Sequence, residues 1–150
     1  MTNKLQMLTV KLPWAWLITH APSDSFKDIE NRNWPTLFLG TIGIHASKET
    51  AHGGVDLLEY QAAKDLITER KIDVEMPSFE AMRKYAGCVM GLIDIRDCVT
   101  QSNSKWFIGP YGFVLSAPRP LSEPFKCRGS QRFWQASPET IAEIKRQLKL

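Results

Sequence analysis

The chain has 150 residues, of which 43% are hydrophobic and 23% are charged. This balance is typical of one soluble globular domain, predicted here over residues 1–150, and it excludes collagen-like, disordered and disulfide-stapled mini-protein classes. The net charge of +3 is too small on its own to indicate a polyanionic partner.

The first part of the chain predicts three extended segments and one short helix. Residues 6–11 read as a strand, and Pro13 then suits the first turn of a helix over residues 14–20. Residues 28–33 follow a turn-forming segment and are predicted to be extended. Residues 41–47 alternate between aliphatic side chains and small or polar ones, which is typical of a half-buried strand.

Residues 49–80 contain the longest predicted helix and many of the acidic side chains. The helix carries an apolar stripe formed by Val55, Leu58, Ala62, Leu66 and Ile67. The segment has eight acidic and three basic residues, a balance of −5, so the rest of the chain carries +8. We expect the acidic segment to point away from a basic face that attracts phosphate, although ordinary solvated charge explains the pattern equally well.

The second half predicts a short helix over residues 78–84, a central strand over 87–99 and a further strand over 111–115. The central strand begins with residues that are apolar at odd and even positions alike, which indicates burial on both faces. Edge pieces are predicted at 125–127 and 133–135, and Ser137 caps a final helix over 138–149. These elements predict an α+β fold, a small β-barrel decorated with helices.

The sequence also bears on the compartment. Three cysteines, at positions 88, 98 and 127, form no Cys-x-x-Cys pair, which fits a reducing environment. The longest run without a charged residue, 33–47, is interrupted by proline and glycine and falls short of the roughly 18 apolar residues of a membrane span. The amino terminus leads into no apolar signal region. We therefore expect an unexported, cytoplasmic protein with no membrane partner.

Six short motifs occur in an order that is found in one known family. They are Pro13-Trp14-Ala15, Lys27-x-x-Glu30-x-Arg32-x-Trp34-Pro35-Thr36, Gly43-Ile44-His45-Ala46-Ser47-Lys48, Gly91-x-x-Asp94, Gly109-Pro110-Tyr111-Gly112, and Cys127-Arg128-Gly129 with Trp134. Across about residues 8–136 the chain resembles the ASCH domain of the PUA-like superfamily. The resemblance implies a PUA-like barrel of mixed strands that handles RNA. Its relatives include proteins that bind modified bases, hydrolyse RNA or remove acetyl groups from cytidine.

Lys27, Glu30 and Arg32 form the first candidate site within these motifs. On a strand over residues 28–33, Glu30 and Arg32 share a face, and Lys27 on the preceding turn can fold over the same pocket. Such a cluster presents fixed donors to a phosphate or to a developing oxyanion. The structural alternative is a buried ion-pair network that fixes the register of the barrel.

Tryptophans supply flat apolar faces beside this cluster. A base that stacks on an indole gains about 1–3 kcal/mol in proteins that bind single strands. We expect Trp14 or Trp34 to contact the ligand, whereas Trp16 faces inward. Trp106 and Trp134 are expected to cover the core.

Four more residues complete the predicted nucleic-acid interface. Ser47 is expected to hydrogen-bond the ligand, and Lys48, Arg128 and Arg132 are expected to pair with phosphates. His45 lies two residues before Ser47, but no Gly-x-Ser-x-Gly elbow supports a Ser-His hydrolase. Scattered histidines and the absence of ligand spacings or a phosphate-binding loop predict no metal and no cofactor.

Asp94 interrupts the apolar part of the predicted central strand. A carboxylate at such a position needs a charged or hydrogen-bonding partner. Arg32, Arg96 and Arg128 are the candidate partners, and a structural and a catalytic role are both consistent with the sequence.

Three functions compete. The first, which we favour, is an RNA-binding domain that stacks a single-stranded or modified nucleotide on tryptophan. The second is a hydrolase acting on RNA or on acetylated cytidine, in which Lys27 works with Glu30 or Tyr111 as acid and base. The deacylating relatives place a hydroxyl where this chain has Glu30. The third is a protein-interaction module that binds an unknown partner through the acidic helix.

Overall fold

The computed structural model of the protein describes residues 3–49 and 52–150. Within these residues, six strands form one sheet and four α-helices pack around it. The strands are β1 (Gln6–Val10), β2 (Ile29–Arg32), β3 (Gly40–Ala46), β4 (Cys88–Val99), β5 (Tyr111–Lys126) and β6 (Phe133–Gln135). The helices are α1 (Trp14–Thr19), α2 (Leu57–Glu69), α3 (Phe79–Met82) and α4 (Pro138–Leu148), and 3-10 turns cover His52–Gly54 and Arg83–Tyr85.

The sheet is mixed and curls back on itself. Its order is β2-β5-β4-β3-β1-β6, with β1 and β3 parallel and the other neighbours antiparallel. Strands β2 and β1 are separated by three strands, yet the Arg32 guanidinium of β2 donates to the Thr9 carbonyl of β1 at 2.8 Å. A side chain thus bridges the seam that a backbone ladder would close in a full barrel. This half-barrel with helices confirms the predicted α+β, barrel-like class.

Both faces of the central strand β4 are buried, as its sequence predicts. On one side, Met90 and Ile93 join the main core, which also contains side chains of β1, β3 and α1. On the other side, Val89 and Leu92 pack with α4. Because both sides are covered, β4 carries the apolar run that first identified it.

A third apolar cluster joins α1, β2 and α2. It includes Leu17 of α1, Ile29 of β2 and Leu66 of α2, together with Trp106, which was predicted to cover the core and is itself buried in it. The cluster holds α2 beside α1.

The buried face of α2 differs from the predicted apolar stripe. Leu58 is 82% exposed, and Ala62 is exposed as well. The residues of α2 that face the core are Tyr60, Ala63 and Leu66. The prediction was therefore right about the existence of the helix and about the burial of Val55 and Leu66, and wrong about Leu58 and Ala62.

Tyr60 accounts for the difference between the predicted and the observed buried face of α2. Its hydroxyl donates to the Pro77 carbonyl at 2.7 Å, and its ring packs edge-on against Phe79 at 5.4 Å between centroids. A tyrosine with a hydrogen-bonded hydroxyl is as suitable for a core as a leucine. Asp56 caps the helix by accepting from two backbone N–H groups, which fixes where this face begins.

Strand β5 runs for 16 residues, so the prediction of a short strand and a separate edge piece at 125–127 was wrong. The part that was missed contains Pro118, Pro120 and Pro124, and proline lacks the N–H that a ladder uses. The pairing of β4 with β5 shifts register at three points along the strands. These irregularities allow the strand to continue past the prolines.

The corrected face of α2 predicts opposite outcomes for two leucines of the same helix. Leu66→Ala should lower the free energy of unfolding by about 2 kcal/mol or more, because it leaves a cavity in the third cluster. Leu58→Ala should change it by less than about 0.5 kcal/mol, because that side chain is exposed. Urea denaturation of both variants measures the difference, and equal effects would contradict the assignment.

Candidate functional site

A cavity of about 590 Å³ opens at the seam between β2 and the end of β1. This volume is within the range of roughly 300–1,000 Å³ that is usual for small-molecule sites. Its walls are built from α1, the segment around β2, the first turn of α2 and two loops. The lining residues include Trp14, Lys27, Glu30, Asn31, Arg32, Trp34, Ser47, Glu59, Ile108 and Arg132.

Glu30 binds two cations at this cavity. Its Oε1 accepts from Lys27 Nζ and its Oε2 accepts from Arg32 Nε, each at 2.8 Å. Lys27 also donates to the Ile29 carbonyl. The side chains of Lys27 and Glu30 are only 3% and 8% exposed, so this ion pair is largely removed from water. A buried pair of this kind is costly to break, because the remaining charge is left without a partner.

Local structure accounts for the network. Alternation along β2 puts Glu30 and Arg32 on one face, as the sequence analysis expects. The turn before β2 is fixed by a hydrogen bond from the Lys27 backbone N–H to the Leu17 carbonyl at 2.9 Å. This bond directs the Lys27 side chain back over the strand, where it meets Glu30.

Glu30 is ionised at neutral pH in this arrangement. Burial by itself raises the pKa of its carboxyl, but the charges and hydrogen bonds of Lys27 and Arg32 outweigh burial and hold the pKa below the ordinary value. A carboxylate with a low pKa and a cation on each oxygen is a poor proton acceptor. Its chemical role here is to position two cationic side chains.

Trp14 is held between a cation and an anion. Lys27 Nζ lies 5.5 Å from the centroid of the indole ring, and the indole Nε1 donates to Glu59 Oε2 at 2.7 Å. Tryptophan is the most favourable aromatic partner of a cation. The hydrogen bond to Glu59 fixes the indole in its plane and links α1 to the first turn of α2.

Trp34 is held by aromatic packing and covered by arginine. Its ring packs edge-on against Phe113 and Phe133, with centroids 5.3 and 5.8 Å apart. The guanidinium carbons of Arg32 and Arg132 lie 5.7 and 4.8 Å from its centroid. Arg132 is exposed and has no hydrogen bond or ion pair within residues 3–49 and 52–150. Of the two guanidinium groups that cover Trp34, that of Arg132 can therefore move away at the lower cost in free energy.

Asn31 fixes the rim of the cavity. Its Oδ1 accepts from the backbone N–H groups of Ile108 and Gly109 at 2.8 and 2.9 Å, and its Nδ2 donates to the Trp106 carbonyl at 3.0 Å. Three hydrogen bonds from one side chain hold the loop before β5 against β2. Asn31 lies inside the motif from Lys27 to Thr36, but no pattern in the sequence predicts that its side chain holds this loop in place.

The structure brings together most of the predicted site residues. Those that line the cavity are Trp14, Lys27, Glu30, Arg32, Trp34, Ser47 and Arg132. Lys48 and Arg128 are exposed outside the lining, and Tyr111 lies at the start of β5, opposite Arg32 in the ladder. The roles of these ten residues stay predictions.

Glu59 corrects the expected placement of the acidic segment. The charge pattern of the sequence predicts that this segment points away from the site, yet Glu59 lines the cavity and accepts a hydrogen bond from Trp14. Lys11 of the lining also lies 3.6 Å from Asp56, the cap of α2. The packing of α2 against α1 produces this arrangement, and no local pattern in the sequence signals it.

Asp94 pairs with an arginine that the sequence analysis did not consider. Its Oδ1 accepts from Thr41 Oγ1 at 2.7 Å and from the Arg119 guanidinium. Thr41 and Arg119 line a second cavity of about 570 Å³ rather than the one at the seam. The long strand β5 explains the pairing, since it brings Arg119 alongside β4.

His45 and Ser47 do not form a catalytic pair. His45 Nε2 is hydrogen-bonded to the Cys127 carbonyl at 2.7 Å, and the ring packs edge-on against Trp134. Burial lowers the pKa of His45, although its hydrogen bonds to backbone carbonyl groups oppose the shift. Ser47 Oγ is shielded from solvent and has no hydrogen-bond partner in the described residues. Because its pKa is lowered and its ring packs against Trp134, His45 is an uncharged packing residue at pH 7.

Neither a metal site nor a membrane span is found within residues 3–49 and 52–150. No group of three or more His, Cys, Asp or Glu side chains there has a geometry that could hold a metal ion. No helix in that part of the chain is long and apolar enough to cross a membrane.

Comparison with known proteins reveals a distant similarity. No protein-family model matches the chain. The chain is 27% identical over 136 residues to Activating signal cointegrator 1 from Homo sapiens. The aligned region is 85% of this chain but only 22% of that protein, so the chain corresponds to less than a quarter of the length of its relative.

The Glu30 network predicts a large loss of stability for Glu30→Gln. The substitution leaves Lys27 buried without its anion, which should lower the free energy of unfolding at pH 7 by about 3 kcal/mol or more. Because the folded-state pKa of Glu30 is lowered, its contribution is complete above the ordinary value of 4.5 and is lost as the pH falls below it.

The difference between wild type and Glu30→Gln should therefore shrink as the pH falls from 6 to 3.5, as measured by urea denaturation. Glu75→Gln is the matched control, because Glu75 is exposed and lies outside the cavity. That control should change stability by less than about 0.5 kcal/mol. A constant difference at all pH values would contradict the assigned role of the Glu30 charge.

Proposed function

We propose that the protein binds RNA and that the cavity at the seam holds one single-stranded or modified nucleotide. The observation that carries the proposal is the convergence of the Lys27–Glu30–Arg32 network with two tryptophans around an open cavity of about 590 Å³. Bases that leave a stack are commonly bound on aromatic side chains and held by fixed polar groups. The cavity combines both kinds of group.

Two sequence relationships support this proposal. The six ordered motifs resemble the ASCH domain of the PUA-like superfamily, which implies RNA as the partner. The similarity to Activating signal cointegrator 1 over most of this chain is consistent with a small domain that occurs within a larger protein. We propose an ASCH-type, PUA-like assignment on these grounds together with the barrel-like fold.

Trp34 is the platform that we propose for the base. One of its covers, Arg132, is exposed and makes no hydrogen bond within the described residues, so a base can take its place at little cost. The displaced guanidinium then remains near the phosphates of the bound nucleotide. Trp14 is fixed by Glu59 and Lys27 and supplies a rigid wall.

The phosphates on either side of the bound nucleotide would extend beyond the cavity. Lys48 and Arg128 are exposed outside its lining and are proposed to contact this part of the backbone. The residues outside 49–80 carry a net charge of +8, which favours contacts with phosphates. We expect roughly three to five phosphates to be neutralised, with a corresponding dependence of affinity on salt.

Acid–base hydrolysis is less well supported than binding. Both oxygens of Glu30 are engaged by cations and its pKa is lowered, which makes it a weak general base. Tyr111 does not line the cavity. Binding requires only that these charges stay fixed, whereas catalysis requires a proton to move.

Arg132→Ala tests the proposed binding surface. It should weaken the binding of a fluorescein-labelled single-stranded RNA heptamer by several-fold and reduce the slope of log K against log salt by about 0.7. Stability should fall by no more than about 1 kcal/mol, because the side chain is exposed and only its contact with the Trp34 ring is lost. Fluorescence anisotropy at several salt concentrations measures both quantities.

Arg96→Ala is the matched control, because Arg96 is exposed on β4 and lies outside the cavity lining. This variant should bind RNA with wild-type affinity at low salt. Equal losses in both variants would assign the effect to net charge alone. Wild-type affinity that does not change between low and moderate salt would contradict RNA binding through the phosphates.

Incubation with substrates separates binding from hydrolysis. Purified protein mixed with total RNA and with acetylated cytidine should leave both intact, as measured by mass spectrometry, because both oxygens of Glu30 are engaged by cationic side chains and Tyr111 lies outside the cavity lining. Product that accumulates with wild type but not with a folded Lys27→Ala variant would favour the hydrolase instead. Circular dichroism reports whether that variant is folded.

A further inference from the structure

Most of the cationic side chains that line the cavity are already paired with carboxylates. Lys27 and Arg32 are bound to Glu30, and Lys11 lies 3.6 Å from the Asp56 carboxylate. Arg132 at the exposed rim covers Trp34 and has no anionic partner among the described residues. The inner part of the cavity therefore has few positive groups left for a ligand, and the rim has one.

Glu59 presents an acceptor with no partner to the same cavity. Its Oε2 accepts from Trp14 Nε1 at 2.7 Å, while its Oε1 has no hydrogen-bond partner within residues 3–49 and 52–150. The carboxylate is held in place because Trp14 packs against two apolar clusters. Glu30 differs from Glu59, since both of its oxygens are occupied. Glu59 is thus a positioned acceptor beside an aromatic wall.

The chemistry of this acceptor distinguishes between bases. Adenine, cytosine and guanine each carry an exocyclic amino group that can donate to a carboxylate. Uracil has no amino group, and its one free N–H lies between two carbonyl groups, so a carboxylate that accepts from this N–H also meets oxygen lone pairs on either side. An acceptor that exchanges its water for this crowded donor gains less free energy than one that meets an amino group, which disfavours uracil beside Glu59.

We propose that Glu59 determines specificity in this cavity and selects bases with an exocyclic amino group over uracil. The inference rests on the proposed function, because it requires a nucleobase to enter the cavity. The amino group points inward to Glu59 Oε1, and the phosphate stays at the rim beside Arg132. This division matches the distribution of free acceptor and free cation around the cavity.

A single-position RNA series tests the selection directly. Four labelled heptamers carry uridine at every position except the centre, which is adenosine, cytidine, guanosine or uridine. Wild-type protein should bind at least one of the three amino-bearing heptamers about tenfold more tightly than the all-uridine heptamer, which corresponds to one specific base contact. Fluorescence anisotropy gives the four dissociation constants.

Glu59→Gln is designed to reverse the signal. The glutamine carbonyl can still accept from Trp14 Nε1, while its amide now presents N–H donors to the cavity. The preference should disappear or change in favour of uridine. Glu69→Gln is the matched control, because Glu69 is exposed near the other end of α2 and its substitution removes the same charge. That variant should keep the wild-type preference, and thermal unfolding compares the stability of all three proteins.

The outcomes separate this inference from the function on which it rests. If wild type binds none of the heptamers, the proposed RNA binding fails. If wild type binds all four equally, RNA binding stands and selection by Glu59 is overturned, whatever the folding of the variants. If the preference persists in a folded Glu59→Gln protein, or is lost equally in Glu69→Gln, another group or the net charge sets it. A preference that is lost in Glu59→Gln alone supports the inference.

Discussion

The curled sheet and the candidate site both depend on one buried carboxylate, that of Glu30. It binds Lys27 and Arg32 at the same time, and Arg32 reaches across the seam to the Thr9 carbonyl. Without the carboxylate, two cations would share a dry region with no anion between them. The ion-pair network that links the two ends of the sheet therefore also lines the cavity in which a ligand would bind.

Local patterns predicted the elements well where the reason for an element is itself local. Alternation identified β3, and the serines at 78 and 137 mark the amino ends of α3 and α4, where each side chain accepts a backbone N–H. The buried face of α2 was predicted wrongly because it depends on the hydroxyl of Tyr60 and the carbonyl of Pro77. Seventeen residues separate these partners, and hydrophobic spacing contains no information about such a contact.

The same distinction applies to the candidate site. Lys27, Glu30 and Arg32 are close in sequence, so the geometry of a strand and of the turn before it was enough to predict that they meet. Glu59 is 45 residues from Trp14, and their contact exists only because α2 packs against α1. The acidic character of the helix was visible in the sequence, but its orientation was not. Sequence motifs do not identify residues that reach a site only through tertiary packing.

The double role of Glu30 limits how this domain can diverge. A change at that position alters folding and ligand environment together, so selection cannot adjust one without the other. Glu59 and Arg132 stand on the outer wall and carry no comparable share of the architecture. For as long as Glu30 is retained, evolutionary change toward other ligands is therefore expected to concentrate in the first turn of α2 and in the loop before β6.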